Sequence, residues 1–372
     1  MFINSQKLLG LLEQLAPKKY AESWDNVGLL LGNDEVEIDK VMVTLDVTDV
    51  VVDEAIEKNV DLIISHHPVI FKGMKNITDR TYQGRLIRKL IKNDIHVYSA
   101  HTNLDIAKGG LNDYLMNLIG LDDLSLLTVS DSHAFYKLIT FVPTDSSEMV
   151  KNALFKAGAG RLGDYDECSY QTVGSGNFRP NEGANPAIGE IGSRESVEEV
   201  KIETIVPEKD LDRCLRALVK AHPYETPAYD VFKMENLSEP YGLGRTGKYA
   251  EPIAGEAFLK QVKEVLGAEI LKVAGKVPEQ VKKVGLCTGA GSEFIHAAKR
   301  KGCDVFITGD VKYHEAQLAE QLDVCIIDAG HFETENIYMS YLQEYLEEKC
   351  IDKNYEIRII KSESLENPFK VY

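Results

Sequence analysis

The chain has 372 residues, 44% hydrophobic and 27% charged, a balance that fits a folded globular protein and excludes collagen-like, disordered and disulfide-scaffold classes. At ~150 residues per domain, that length predicts about two domains. The 42 basic and 59 acidic side chains leave a formal net charge of −17, which argues against a nucleic-acid duplex or an anionic membrane surface as the main partner.

No apolar run reaches the ~18 residues that a bilayer span needs. The first residues show no basic segment followed by an apolar core, so no signal peptide is expected. The six cysteines are scattered without a CxxC pair and read as reduced thiols. The expected compartment is cytoplasmic.

In chain order, apolar residues from Leu8 to Leu15 recur at helical spacing and stop at Pro17. The turn-rich Trp24-Asp25-Asn26-Val27-Gly28 follows. Strands are then predicted at 41–45, 61–65 and 95–99, alternating with helices at 49–58 and 86–92. Continuous apolar strands alternating with helices indicate a parallel sheet covered on both faces. The last third repeats this order, with strands at 284–287, 304–308 and 324–328 and helices at 292–301 and 314–321. The repeat extends to residues. Residues 55–64 line up with 298–307, and His101-Thr102-Asn103-Leu104-Asp105 lines up with His331-Phe332-Glu333-Thr334-Glu335. Two related α/β halves facing each other across a cleft are therefore expected.

Between the halves, strands at 136–142, 167–173, 199–206 and 226–232 and helices at 146–156 and 209–221 give a β-α-β…β-α-β order. That is the split-βαβ, ferredoxin-like pattern, with a Gly/Asn/Pro-rich stretch at 174–189 read as a long loop. The expected organisation is one discontinuous α/β domain, residues 1–127 with 239–372, interrupted by an insert at 128–238.

His66-His67 directly follows the apolar run at 61–65. In parallel α/β sheets ligands gather at the carboxyl ends of strands. Adjacent side chains in an extended backbone face opposite ways, so neighbouring histidines can serve two ions, or one if the chain turns. Taken alone, the pair is as readily one buried and one exposed imidazole. His331 and Glu335 fall on one face if a helix begins there, yet such pairs are common on solvated helices. A lone Asp105 reads as a cap or turn residue. In combination, the strand ends bring three imidazoles and two carboxylates to one edge. That mixed N/O set suits Zn²⁺, Mn²⁺ or Fe²⁺ rather than Ca²⁺. Five side chains exceed the three that usually hold one catalytic zinc. They suit two divalent ions ~3.5–4 Å apart, bridged by a carboxylate and a water, with Glu335 as the expected bridge.

His101, the counterpart of His331, is expected to support a ligand or to act as an acid/base. Asp310 and His314 are placed near the cleft, where they are expected to orient ligands or water, with Asp310 a second candidate for handling protons. The stretch Thr288-Gly289-Ala290-Gly291-Ser292 is either a phosphate-holding loop or a plain tight turn. It lacks the Walker lysine, which favours the turn. His222 is as readily structural as ligand-binding, His96 is expected in the core, and His133 and His296 show no partner pattern.

Together Trp24-Asp25-Asn26-Val27-Gly28-Leu29, Ser65-His66-His67-Pro68, His101-Thr102-Asn103-Leu104-Asp105, Thr308-Gly309-Asp310-Val311-Lys312-Tyr313-His314 and Gly330-His331-x-x-x-Glu335 resemble the GTP cyclohydrolase I type 2 family, also called Nif-three-like proteins. Five motifs in order cover both flanking halves. The resemblance implies a dinuclear site with His66 and His331 on one metal, His67 and Asp105 on the other, and Glu335 on both. It also implies toroidal homohexamers. The insert, with Ala221-His222-Pro223-Tyr224-Glu225-Thr226-Pro227-Ala228-Tyr229, is similar to the CutA/PII-like module of longer members.

The expected activity is metal-dependent hydrolysis of a nucleotide through a metal-bridging hydroxide. It would open the imidazole ring of GTP, as the family name implies, or cleave a phosphoester. The alternative is a metal-holding scaffold or chaperone whose PII-like insert senses a ligand. A DNA-binding adaptor is the weakest reading.

Overall fold

Strand Leu62–Ser65 is buried throughout because it lies in the middle of a five-stranded sheet. The strand order is Arg358–Lys361, Lys40–Thr44, Leu62–Ser65, His96–Ser99, Gly28–Leu31. Its first four strands run parallel, and Gly28–Leu31 is antiparallel to its neighbour. The structure, a computed structural model, describes residues 3–371. A second sheet of six strands runs Lys272–Ala274, Cys325–Asp328, Val305–Gly309, Gln280–Ala290, Arg245–Ala254, Asp122–Leu126. Only its three middle strands after Lys272–Ala274 are mutually parallel; both flanks are antiparallel. The expected parallel sheets are therefore the interiors of mixed sheets.

The two sheets exchange elements. Arg358–Lys361, from the last part of the chain, forms an edge of the first sheet, while Asp122–Leu126, from the first part, forms an edge of the second. Helices do the same. Tyr338, Leu342 and Leu346 of helix Tyr338–Asp352 share an apolar core with Val41, Val43 and Ile64. Leu115 and Met116 of helix Leu111–Leu118 share another with Leu286, Val305 and Ile327.

The internal repeat is visible at atomic level. Asp61 Oδ2 accepts the backbone N–H groups of Asp39 and Lys40, both at 2.8 Å. Asp304 Oδ2 accepts those of Lys282 and Lys283 at 2.9 and 2.8 Å. Lys40 Nζ reaches the Lys58 carbonyl as Lys283 Nζ reaches that of Lys301.

Contacts divide the chain into two units: residues up to Ser130 together with those from Tyr241 onward, and Asp131–Pro240. The second unit has one antiparallel sheet in the order Tyr229–Tyr241, Asp131–Pro143, Glu195–Pro207, Ser169–Phe178, with helices Ser147–Lys156 and Leu211–Ala221. Residues 174–178, expected in a loop, are strand. Gly176 is needed there because a Cβ would lie 2.0 Å from the Glu199 carboxylate on the adjacent strand. The helix expected over 292–301 is a 3-10 turn, Ser292–Phe294, leading into a short helix, Ile295–Arg300.

Candidate metal centre

Ladder bonding continues past the end of strand Leu62–Ser65. His66 N donates to Thr44 O at 3.2 Å and His67 N to Leu45 O at 3.0 Å, which holds both histidines against the neighbouring strand as the chain bends away from the sheet. Ser65 Oγ donates to His67 O and packs against Ser99 Oγ, fixing the exit. On the other sheet, strand Cys325–Asp328 runs through Gly330 into helix His331–Asn336. Gly330 has φ 89°, and a Cβ there would collide with Glu333, so only glycine makes this corner.

These exits converge. His67 Nε2 and His331 Nε2 each lie 3.0 Å from Glu335 Oε2, and 3.4 Å from one another. His66 Nε2 lies 3.7 Å from Glu335 Oε1 and 3.8 Å from Asp105 Oδ2. His101 joins His66 and His67 in a group whose donor atoms all lie within 4.8 Å, as do His67, His331 and Glu335. All five expected ligands thus stand together with His101, but the contacts sort them differently from the family resemblance. His67 faces His331, and His66 faces Asp105. Glu335 lies between the two pairs. The bend at the strand end turns His67 towards His331 and Glu335 and leaves His66 fully buried beside Asp105.

Each imidazole is aimed through its other nitrogen. Nδ1 of His66 donates to the Ala100 carbonyl at 2.8 Å. Nδ1 of His67 bonds Asp46, that of His331 bonds Asp310, both at 2.8 Å, and that of His101 bonds Asp25 at 2.9 Å. An acceptor on Nδ1 makes that nitrogen the proton carrier and turns the Nε2 lone pair inward, as in histidines that ligate metals. Asp46 and the pairing role of Asp25 were not found by sequence reasoning. Asp46–His67 and Asp310–His331 are each 21 residues apart, one strand–helix–strand step, and that spacing is the signal that finds them. Asp310, expected near the cleft to orient ligands or to handle protons, bonds the His331 ring.

The centre calls for positive charge. His66 Nε2 is buried without a hydrogen-bonding partner, and the Nε2 atoms of His67 and His331 crowd Glu335 Oε2 at 3.0 Å. Burial opposes a charge on His67, yet the Asp46 and Glu335 carboxylates push its imidazole up to about 10. Glu335 and Asp310 push His331 up to about 9 against its burial. Burial would raise Glu335, but the imidazoles of His331, His66 and His67 hold it well below the usual carboxylate range. Buried Asp105 moves the other way, up, with Glu335 adding to the effect of burial. An orphaned imidazole nitrogen, inward lone pairs and a mixed imidazole–carboxylate set fit divalent cations.

The Thr288–Ser292 stretch serves this centre and is not a phosphate cradle. The backbone N–H groups of Thr288, Gly289 and Gly291 donate to Asn112, Thr334 and Thr308 side chains. Gly289, at φ 62°, leaves room for Glu335: a Cβ would sit 2.1 Å from its Oε1. His314 is exposed and bonds Gln317 on its own helix. His222 bonds the Phe141 carbonyl and takes the Tyr224 N–H, a structural role, and His96 is buried as expected.

The family model Duf34/NIF3 (NGG1p interacting factor 3) matches residues 3–368. The chain belongs to the DUF34/NIF3 family. A protein of Halalkalibacterium halodurans named GTP cyclohydrolase 1 type 2 homolog is 42% identical over 366 residues, covering 98% of each chain. One of the same name from Bacillus subtilis is 42% identical over 367 residues, covering 99% of this chain and 98% of that one. The crystal structure of a Bacillus cereus protein related to NIF3 superposes with a TM-score of 0.93 at 39% identity and covers both chains fully. This DUF34/NIF3 chain has no described helix long and apolar enough to cross a membrane.

Proposed function

We propose that this chain holds two divalent cations and hydrolyses a nucleotide at them. The observation that carries this reading is the convergence of the buried, unpartnered His66 Nε2 and the Nε2 atoms of His67 and His331 on the buried Glu335 carboxylate. His67, His331 and Glu335 would hold one cation, and His66, Asp105 and Glu335 the other. The donor set suits zinc, with manganese or iron as alternatives. Such a pair, when bound, supplies Lewis-acid polarisation and makes water acidic enough to react near neutral pH.

The chain's own residues supply the rest. Asp46 and Asp310 hold the His67 and His331 rings in place. Asp25, kept ionised down to about 2 by His101 and Thr102 against its burial, fixes the His101 ring. His101 Nε2 is left free to donate or accept a proton beside the cluster. Ring opening of the GTP imidazole and phosphoester cleavage both fit this arrangement.

Protein loaded with zinc, manganese or iron should contain two equivalents by elemental analysis and turn over GTP or a member of a nucleotide panel. Glu335→Gln, which removes the shared carboxylate, should lose at least one equivalent and all turnover. Fewer than two equivalents in the intact protein defeats the dinuclear reading.

A second reading, a metal scaffold with a regulatory sensor, draws support from the unit Asp131–Pro240. Taking its strands in sequence order as one to four, the sheet runs four, one, three, two, with a helix after the first and third, the ferredoxin-like arrangement of CutA/PII-like modules. It encloses a cavity of about 630 Å³ beside Glu199, Tyr224 and Phe178, large enough for a small ligand. Full metal occupancy without turnover of any nucleotide selects this reading. The toroidal homohexamer belongs to both readings, and light scattering of the metal-loaded protein tests it.

A further inference from the structure

Trp24 and Phe71 are large aromatics that remain 57% and 43% exposed, although burying such rings normally contributes strongly to folding. Trp24 is the only tryptophan in the chain. Their ring centroids are 5.8 Å apart at 52°, an open wedge, not a closed stack. Both meet the His101 ring edge-on, at 6.1 and 6.4 Å, and His101 in turn packs against His66 and His67 at 5.1 and 5.5 Å. The wedge therefore begins one ring away from the candidate metal ligands.

The wedge is also held in place. Asn26 Nδ2 donates to the Ile70 carbonyl at 2.5 Å, linking the Trp24 loop to the Phe71 loop. Asp25, next to Trp24, accepts from the backbone N–H of Asn26 at 2.7 Å and that of Thr102 at 3.1 Å while it pairs with His101. A single carboxylate thus positions both the exposed indole and the imidazole beside the cluster. Exposed aromatic faces on fixed loops next to a polar centre suit a planar π-system, which they bind by stacking whatever its edge pattern.

We propose that Trp24 and Phe71 form an aromatic lip that receives the heteroaromatic ring of the substrate and sets it beside His101. This deepens the nucleotide reading above: it makes a purine-like base, and not the phosphate alone, the recognised part. Trp24 and Phe71 are positioning residues in this scheme, and no proton passes through them.

The sole tryptophan reports directly. Guanosine 5′-monophosphate is titrated into zinc-loaded full-length protein, with ribose 5-phosphate as the probe that keeps the phosphate and lacks the base. Saturable quenching of Trp24 emission by the nucleotide, absent with ribose 5-phosphate, is expected. By calorimetry, Trp24→Ala should bind the nucleotide about tenfold more weakly, while Trp24→Phe stays close to the parent. Zinc content should be the same in all three proteins. Nucleotide binding that is unchanged in Trp24→Ala, or no nucleotide binding by protein that carries two zinc equivalents, overturns the lip and leaves the metal reading standing. Failure to load zinc overturns the metal reading, while the same fluorescence titration still judges the lip. Emission that responds only to subunit dissociation assigns the wedge to contact between copies and also overturns the proposal.

Discussion

Asp46 stands outside the cluster of candidate ligands, yet it bonds the outer nitrogen of one of them. Its carboxylate fixes the His67 ring and makes the inward nitrogen the basic one. Replacing such a partner commonly weakens metal affinity about 10- to 100-fold. Asp46→Asn should therefore retain the fold and bind zinc weaker by that factor in competition with a chromophoric chelator. Unchanged affinity would mean that packing alone orients His67. The contrast with the ligands shows what sequence reveals. His66 and His67 stood out as a histidine pair at a strand end, and His331 and Glu335 through their four-residue spacing and its echo in His101 and Asp105. Asp46 sat at a strand end too, but a lone aspartate is ordinary there, and its partner is a strand and a helix away. Which ligand faces which was not legible either. That depends on the direction in which the chain bends as it leaves the sheet, and a neighbouring pair of histidines reads the same both ways.

The interior strands were legible because burial on both faces leaves continuous apolar runs such as Leu62-Ile63-Ile64, and the repeat was legible through Asp61 and Asp304. The edge strands were not. Asp122–Leu126 and Arg358–Lys361 are polar and short, and they belong to sheets built mainly by distant parts of the chain. The attachment of the second edge depends on Glu54 of helix Asp49–Glu57. This buried carboxylate accepts from the backbone N–H groups of Glu363 and Ser364, from the Ser362 and Ser364 hydroxyls, and from Lys58. Burial works against its charge, but these donors bring it down from 4.5 to about 2. A folded-state value below the unfolded one contributes stability that is fully present above about 4.5 and fades as pH falls towards about 2. Glu54→Gln should thus cost about 1–3 kcal/mol near neutral pH. In urea titrations the gap between parent and variant should narrow steadily below about pH 4. A gap that is constant across this range would show that the carboxylate charge does not anchor the tail.

At the scale of the whole unit, the centre exists only because two halves are held in register, since His66, His67 and Asp105 come from one and His331 and Glu335 from the other. Arg245 is the polar fastening between them. It is 3% exposed, and its Nε donates to Asp113 Oδ1 at 2.8 Å. One terminal nitrogen serves the Gly242 and Gly244 carbonyls, and the other serves those of Ile106 and Ala107, at 2.8–3.0 Å. All five guanidinium donors are thereby used, which offsets the cost of burying the charge. Ile106 and Ala107 directly follow Asp105, so the same side chain that joins the halves also fixes the segment carrying a ligand. Arg245→Met keeps much of the volume but strands a buried carboxylate and four carbonyls, and should cost about 3–5 kcal/mol in the denaturation midpoint analysis. Adding Asp113→Asn should recover part of that loss, since it removes the unpaired charge while keeping an acceptor for the Gly109 N–H and leaving the carbonyls. The two variants separate fastening from mere packing. If Arg245→Met is as stable as the parent, the apolar exchange of helices and edge strands suffices to hold the halves. If it is destabilised and the second substitution recovers nothing, the stranded carbonyls, not the ion pair, carry the cost.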